Sequence, residues 1–396
     1  MAVAQYIRES VSKSSWIRKM FEEGISLKKQ YGVENVFDFS LGNPDLDPPR
    51  AFHDSLCSLA AEDARGSHGY MPNAGFVDVR KAIAEKVNRE HGSSIEADGI
   101  VMSVGAAGAL NVVFKTILNP GDEVIVIKPY FVEYGSYIAN HGGKIVPVNS
   151  STDFSLDCTV IEKALTSRTA AVLINSPNNP TGRIYSAEQI KSLGKVLQDH
   201  KTKTGKAVYC IADEPYREIA YDDIKVPSIM PVYDHSIVVT SYSKSLSLPG
   251  ERIGYIAVNS GCDDREMLIS GLVMCTRTLG FVNAPALMQR VVAKLTNESV
   301  DVSIYQKRRD IFAAGLTDAG FTFAKPEGAF YFFCKAPIDD DVKFVNYLKD
   351  CRILSVPGSG FGTPGYFRLA YCVEDDVIAR SIPVFKSAMA NFSEAK

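Results

Sequence analysis

Between about residues 76 and 258, short apolar runs rich in β-branched residues alternate with stretches of helical periodicity, and this alternation constrains the fold more than any other feature. The runs are Ile100 to Val104, Glu123 to Ile127, Lys144 to Val148, Ala170 to Ile174, Val208 to Ala212 and Ser236 to Thr240. A seventh, Gly254 to Val258, reads as a strand running the other way. Helical patterns fill the gaps, among them Phe76 to Glu90 and Ala107 to Leu118. Apolar strands separated by helices predict an α/β architecture: a mainly parallel, mixed seven-stranded sheet flanked by helices.

The chain has 396 residues, more than one small core absorbs, so two domains are expected. Residues 1 to 37 are polar and helical in character, with Trp16, Ile17, Met20 and Phe21 spaced as an anchoring face. A Pro-rich crossing, Pro44 to Pro49, is a candidate hinge. After about Asn283 the pattern changes to one long charged helix, roughly Ala286 to Ala319, then a few strands and a last helix from Asp375. The expected division is an N-terminal segment and part of a small domain (1–49), a large ligand-binding domain (50–284), and a C-terminal small domain (285–396). The small α+β domain is thus built from both chain ends.

Composition removes several classes of function. The formal charge is −3 with no basic stripe, which argues against nucleic acid or an anionic membrane as partner. Eight scattered cysteines form no C-x-x-C pair, and six histidines form no H-E-x-x-H pair, so no metal site is expected and free thiols in a reducing compartment are. Met1 to Lys19 carries no apolar core of signal-peptide length, and no run approaches the ~20 residues of a membrane span. The expectation is a cytoplasmic protein.

Chemistry-bearing residues cluster where predicted strands end, the edge at which open α/β sheets bind ligands. Lys244 stands among small hydroxyl residues in Ser241-Tyr242-Ser243-Lys244-Ser245, and Arg252 follows a Pro-Gly turn eight residues on. Gly105-Ala106-Ala107-Gly108 opens a helix whose free N–H groups suit an anion, although tight packing explains such a turn about as often. Pro129-Tyr130-Phe131 places aromatics after another strand. In Asn175 to Gly182, three asparagines and two prolines exceed what a plain turn needs. Asp213 ends an apolar strand, where a carboxylate is costly unless paired; a cap, a salt bridge or a cationic ring nitrogen would each serve. Arg368, in Tyr366-Phe367-Arg368-Leu369-Ala370, needs an anion: a structural carboxylate or a bound one.

Taken in order, SVGAAGAL, PYF, SPNNPTG, ADEPY, SYSKSLSLPGERIGY, PEGAFYFF and YFRLAY resemble the class I/II pyridoxal-phosphate-dependent aminotransferases, the aspartate-aminotransferase fold or fold type I, from about Leu41 to Ala370. The resemblance implies pyridoxal 5′-phosphate as cofactor, Lys244 as the lysine of its Schiff base and proton carrier, and Asp213 as partner of the ring nitrogen. Asn179 and Tyr216 match the groups on the ring 3′-oxygen, and Phe131 the aromatic stacked on the ring. Ser241, Arg252 and the backbone of Gly105, Ala106 and Ala107 match the phosphate cup. Tyr70 matches a tyrosine donated across a homodimer interface. Arg368, with Gly42 and Asn179, matches the site for the substrate α-carboxylate.

What the resemblance implies is transfer of an amino group between an L-amino acid and a 2-oxo acid. The same fold hosts C–S β-lyases and, in a third class, non-catalytic pyridoxal-phosphate sensors. Side-chain selectivity is open. Ala107 stands where a subgroup reading aspartate has a lysine, and Arg277 is either the cation of a surface salt bridge or a replacement cation reaching a neighbouring subunit's site. Tyr130, Phe131, Phe281 and Phe330 suggest neutral or aromatic substrates, with aspartate as the alternative.

Overall fold

The computed structural model describes residues 3–12, 16–62 and 65–394. The seven apolar runs form one sheet: β1 (Ile100–Ser103), β2 (Glu123–Lys128), β3 (Lys144–Asn149), β4 (Thr169–Asn175), β5 (Tyr209–Asp213), β6 (Ser236–Ser241) and β7 (Gly254–Val258). The order across the sheet is β1-β7-β6-β5-β4-β2-β3. β7 is antiparallel to both neighbours and every other pairing is parallel. Since β7 separates β1 from β6 and opposes both, β1 points the same way as the parallel strands. The carboxyl ends of β1, β4, β5 and β6 therefore share one edge.

Both faces of the sheet are covered, which is why its strands read as unbroken apolar runs rather than alternating ones. Ile125, Val172, Ile174 and Val238 enter one core with Val79, Ile83 and Leu193. Their sequence neighbours Val124, Val126, Leu173 and Val239 enter the other with Leu110, Val113 and Leu272. Pro147 lies on β3, which has one strand neighbour and so tolerates a residue with no N–H to give.

A third core gathers the two chain ends. Phe37–Asp38 pairs in parallel with Ile353–Leu354, and four antiparallel strands run in the order Val356–Pro357, Tyr366–Ala370, Tyr331–Lys335, Thr322–Phe323. Met20, on the helix Trp16–Tyr31, is fully buried there and Trp16 packs beside it, whereas Phe21 turns to solvent, so the anchoring face is narrower than its spacing predicts. The side chain of Ile17 lies outside the described residues. The single helix expected over Ala286 to Ala319 is two, Ala286–Lys294 and Val302–Asp318. The break has a local cause: Asp301 caps the second helix by accepting from the Ser303 N–H, and the Val300 N–H donates to the Ser245 carbonyl on the other core. Met288, Val291 and Val292 of the first helix pack into the core of the large sheet.

Arg308, on the second of these helices, holds both Asp45 carboxylate oxygens at 2.8 Å and Asp375 at 2.7 Å. It thereby pins the extended crossing that follows Gly42. Among the described residues, no helix is long and apolar enough to cross a membrane.

At Gly254 a Cβ would overlap the Thr240 carbonyl and approach the Gly105 Cα to 3.1 Å, so the β6–β7 pairing tolerates no side chain there. Gly254→Ala is expected to cost on the order of 2 kcal/mol, read as a lower urea midpoint; an unchanged midpoint contradicts this packing.

Candidate active site

The shared strand edge closes into a cavity of about 270 Å³. Asn175, Asp213 and Ser241, the last residues of β4, β5 and β6, all line it. After β1 the chain turns at Gly105, with φ +80°, directly into the helix Gly105–Ile117, two residues earlier than the sequence pattern suggests. A Cβ at Gly105 would sit 2.9 Å from the Arg252 guanidinium, so glycine permits both the turn and the close approach of that cation. Ala106 and Ala107 open the helix at the cavity wall and leave its first N–H groups as the donors there. Arg252 is steadied by donating to the Pro249 carbonyl at 2.8 Å.

Asp213 is 5% exposed. Its Oδ2 accepts a 2.5 Å hydrogen bond from Tyr134, while Oδ1 has no hydrogen-bond partner among the described residues. Burial pushes the carboxyl up to about 7; the Tyr134 bond opposes this and the neighbouring Glu214 adds to it. The Asn175 side chain donates to the Asp213 carbonyl at 2.7 Å and accepts from the Asn179 N–H at 2.8 Å. Asn178 folds the turn by accepting from the N–H and hydroxyl of Thr181. Two of the three asparagines therefore shape the loop, and the third, Asn179, presents its side chain to the cavity.

Arg368, 1% exposed, has no carboxylate partner among the described residues. Its Nη1 donates to Asn179 Oδ1 at 3.0 Å and its Nη2 to the Ser40 carbonyl at 2.5 Å. The guanidinium lies near two rings, 4.6 Å from the Tyr331 centroid and 5.0 Å from that of Phe361, and Nε is unpartnered. A structural salt bridge is thus ruled out as its anion within the described chain, and the open donor suits a bound carboxylate.

Lys244 projects from the short helix Tyr242–Ser245 and donates to the Gly42 carbonyl at 2.7 Å, 5.6 Å from the Phe330 ring centroid. Desolvation pulls its amine down to about 8; Cys372 pulls the other way, and the cations Arg368 and Arg252 add to the lowering. The Gly42 backbone abuts the Tyr331 hydroxyl so closely that a Cβ would overlap it. Tyr216 and Phe131 complete the wall, and Phe131 stands edge-on to Tyr134 at 5.6 Å.

Of the aromatics expected to favour neutral substrates, Phe131 lines this cavity and Tyr130, Phe281 and Phe330 do not, and Tyr70 and Arg277 stay away from it. Tyr70 is 94% exposed on the loop before the helix Val77–His91, and Arg277 is exposed in the last turn of the helix Arg265–Thr278. Sequence reasoning misses Tyr134 and Tyr331, both cavity-lining. Tyr134 carries a faint signal, one helical turn beyond Phe131; Tyr331 sits in an aromatic string that looks like core.

The sequence matches the family described as aminotransferase class I and II over residues 34–382. It is 30% identical over 374 residues to the aspartate/prephenate aminotransferase of Thermus thermophilus, spanning 92% of this chain and 93% of that one. The crystal structure of an aminotransferase from Eubacterium rectale matches with a TM-score of 0.96 at 40% identity, covering 99% of both chains. The Thermus thermophilus aspartate aminotransferase with maleate matches with a TM-score of 0.88 at 27% identity, covering 98% of this chain and 100% of that one. The chain belongs to the class I and II aminotransferases. It is a transaminase of fold type I and depends on pyridoxal 5′-phosphate.

The residues present fit that group. The orphaned Asp213 Oδ1 suits a cationic ring N–H, and the Gly105 turn with Arg252 suits a phosphate dianion.

The Asp213 carboxyl also sets a pH dependence. Below the ordinary carboxylate range both folded and unfolded chains are protonated and nothing is lost. As pH rises toward 7 the unfolded chain ionises first, so stability falls until the folded carboxyl also ionises. Asp213→Asn in the cofactor-free protein is expected to be more stable than wild type above pH 7, by on the order of 2–4 kcal/mol. The gain vanishes near pH 4, and equal midpoints at both pH values contradict the assignment of a costly buried carboxylate.

Proposed function

We propose that this transaminase moves an amino group between an L-amino acid and a 2-oxo acid on a cofactor carried covalently by Lys244. The supporting observation is that one cavity holds a half-buried lysine with a lowered pKa, a buried carboxylate with a free oxygen, and an arginine with no carboxylate partner among the described residues. Ser241, Arg252 and the Gly105-Ala106-Ala107 backbone would hold the phosphate. Asp213 would pair with the ring nitrogen, and Asn179 and Tyr216 would face the ring oxygen. When bound, pyridoxal phosphate supplies an electron sink for the carbanion left by breaking the α C–H bond.

The chain's own groups do the rest. Arg368 would fork onto the α-carboxylate and fix the amino acid's orientation, a contribution that reaches ~7–11 kcal/mol in well-oriented systems. The Lys244 amine, near half-protonated at mildly alkaline pH, is suited to take the α-proton and deliver it elsewhere. Among the described residues Tyr134 is the hydrogen-bond partner of the Asp213 carboxyl, so its free oxygen would keep a ring nitrogen protonated.

The substrate side chain is proposed to be neutral or aromatic at least as readily as aspartate. The cations lining the cavity are Lys244, Arg252 and Arg368, each with a role above, and Ala107 offers none. The relatives named for aspartate favour a dicarboxylate, for which Arg277 of a second copy is the available cation. A homodimer sharing its sites is supported by the bare Tyr70 and by Met267 and Met274, exposed on the Arg277 helix. A cytoplasmic setting is supported by eight free thiols.

Lys244→Ala is expected to lose about 10⁴-fold in turnover or more, and borohydride reduction of the wild type should label the peptide bearing Lys244 and no other. Mixed with an inactive Tyr70 variant after subunit exchange, Lys244→Ala should regain part of the activity. Labelling of a different lysine overturns the assignment, and failure of the mixture overturns shared sites.

For the substrate, kcat/KM for alanine, methionine, tyrosine, phenylalanine and aspartate with one acceptor should span a narrow range. Arg368→Ala should depress all five alike. A buried distal carboxylate without a partner forfeits roughly 3–5 kcal/mol. A hundredfold preference for aspartate that disappears in Arg277→Ala would make Arg277 the distal reader and end the neutral-substrate proposal.

A further inference from the structure

Tyr331, which lines the cavity, touches both Arg368 and Tyr216. It begins the strand Tyr331–Lys335, which pairs antiparallel with Tyr366–Ala370, where Phe333 faces Arg368. Tyr331 lies two residues before Phe333 and so on the same face, within diagonal reach of Arg368. Its ring centroid is 4.6 Å from the Arg368 guanidinium, and its hydroxyl is 2.7 Å from that of Tyr216, which follows β5 on the large sheet. The ring is 2% exposed.

We propose that Tyr331 is a positioning residue that couples the carboxylate-binding Arg368 to the cofactor-facing Tyr216. The inference rests on the roles proposed above for those two residues and adds to them the device that links them.

Each part of the side chain does something separate. The ring holds the guanidinium by its negative face, without using any N–H donor. A structural carboxylate would hold Arg368 as firmly, but it would neutralise the charge and occupy the fork that a substrate needs. Phe361 supplies a second ring at 5.0 Å, and Nε stays open.

The hydroxyl lies 2.7 Å from that of Tyr216 and either can donate; the coupling requires Tyr331 to be the donor. The Gly42 backbone also lies against the hydroxyl, and the guanidinium beside the ring only donates. Donation from Tyr331 to the Tyr216 oxygen leaves the Tyr216 proton for the cavity and polarises that hydroxyl into a stronger donor. A stronger donor on a ring oxygen favours its anionic form, and the protonation equilibrium of the bound cofactor then falls to lower pH.

The test is a pH titration of the cofactor's visible absorbance in holoenzyme, comparing wild type, Tyr331→Phe and Tyr216→Phe, with amino-donor KM for Tyr331→Phe and Tyr331→Leu. Tyr331→Phe should move the absorbance pKa upward by about half a unit, in the same direction as Tyr216→Phe and by less. It keeps the ring, so its KM should stay within about threefold of wild type, whereas Tyr331→Leu should raise KM about tenfold, in the range of one lost cation–π contact. No shift, or a downward one, in Tyr331→Phe while Tyr216→Phe shifts upward overturns the coupling and leaves the role of Tyr216 intact. Absence of a shift in both overturns the role of Tyr216 and the coupling with it. A folded Tyr331→Leu with wild-type KM overturns the ring's part; should that variant not fold, the titration of Tyr331→Phe decides alone.

Discussion

The Asp213 carboxylate is buried with one oxygen satisfied and the other left open, and much of the surrounding structure follows from that arrangement. An isolated buried ion is among the least favourable groups a fold can hold. Here the β4 and β6 strands on either side prevent relaxation, Asn175 locks the backbone carbonyl, and Tyr134 supplies one short hydrogen bond. The fold thus holds a carboxyl whose burial is only partly compensated. A cationic partner bound at its open oxygen would recover stability, since a ligand that binds only the folded chain stabilises it.

Its neighbour shows that sequence position alone does not create this state. Glu214 is buried to the same 5%, yet Arg217 donates to it at 3.0 Å, and Lys86, Glu90 and Glu218 extend a network of ion pairs on the same side. Consecutive residues at a strand end point to opposite faces. One carboxylate therefore enters the cavity unpaired, and the next enters a charge-compensated interior. The same distinction separates Arg368 from Arg309, which is equally buried but holds Asp222 through two hydrogen bonds. Buried charges that are paired serve the fold, and those left open belong to the site.

Much of this was legible in the sequence for physical reasons. Strands buried on both faces must be apolar along nearly their whole length, so six were visible for that reason, while the partly exposed edge strand β3 showed through its β-branched residues; no end is displaced by more than one residue. Asp213, Lys244 and Arg368 stand out because a charge beside an apolar run demands a partner. Tyr134 and Tyr331 do not stand out, because a tyrosine whose hydroxyl finds a distant partner reads like any core aromatic. The break at Leu295 to Asp301 was missed because a polar stretch with helical spacing hides a stop that depends on a contact with Ser245, some fifty residues earlier. Tyr70 and Arg277 rest on resemblance alone, and on one chain both face solvent.

The site lies where two cores meet, and this decides what kind of control it has over its substrate. The large sheet contributes Asp213, Ser241 and Lys244, and the small one contributes Arg368 and Tyr331. Three polar contacts join the walls of the cavity: Lys244 to the Gly42 carbonyl, Arg368 to Asn179, and Tyr331 to Tyr216, whose rings lie together in the third core although Tyr216 follows β5. Two of these three contacts involve donors that a carboxylate or a carbonyl carbon would claim, whereas the tyrosine pair asks nothing of the substrate. Binding would therefore exchange the first two contacts and retain the third, so the tyrosine pair is the natural pivot that keeps the arginine fork in register with the lysine while the others are remade.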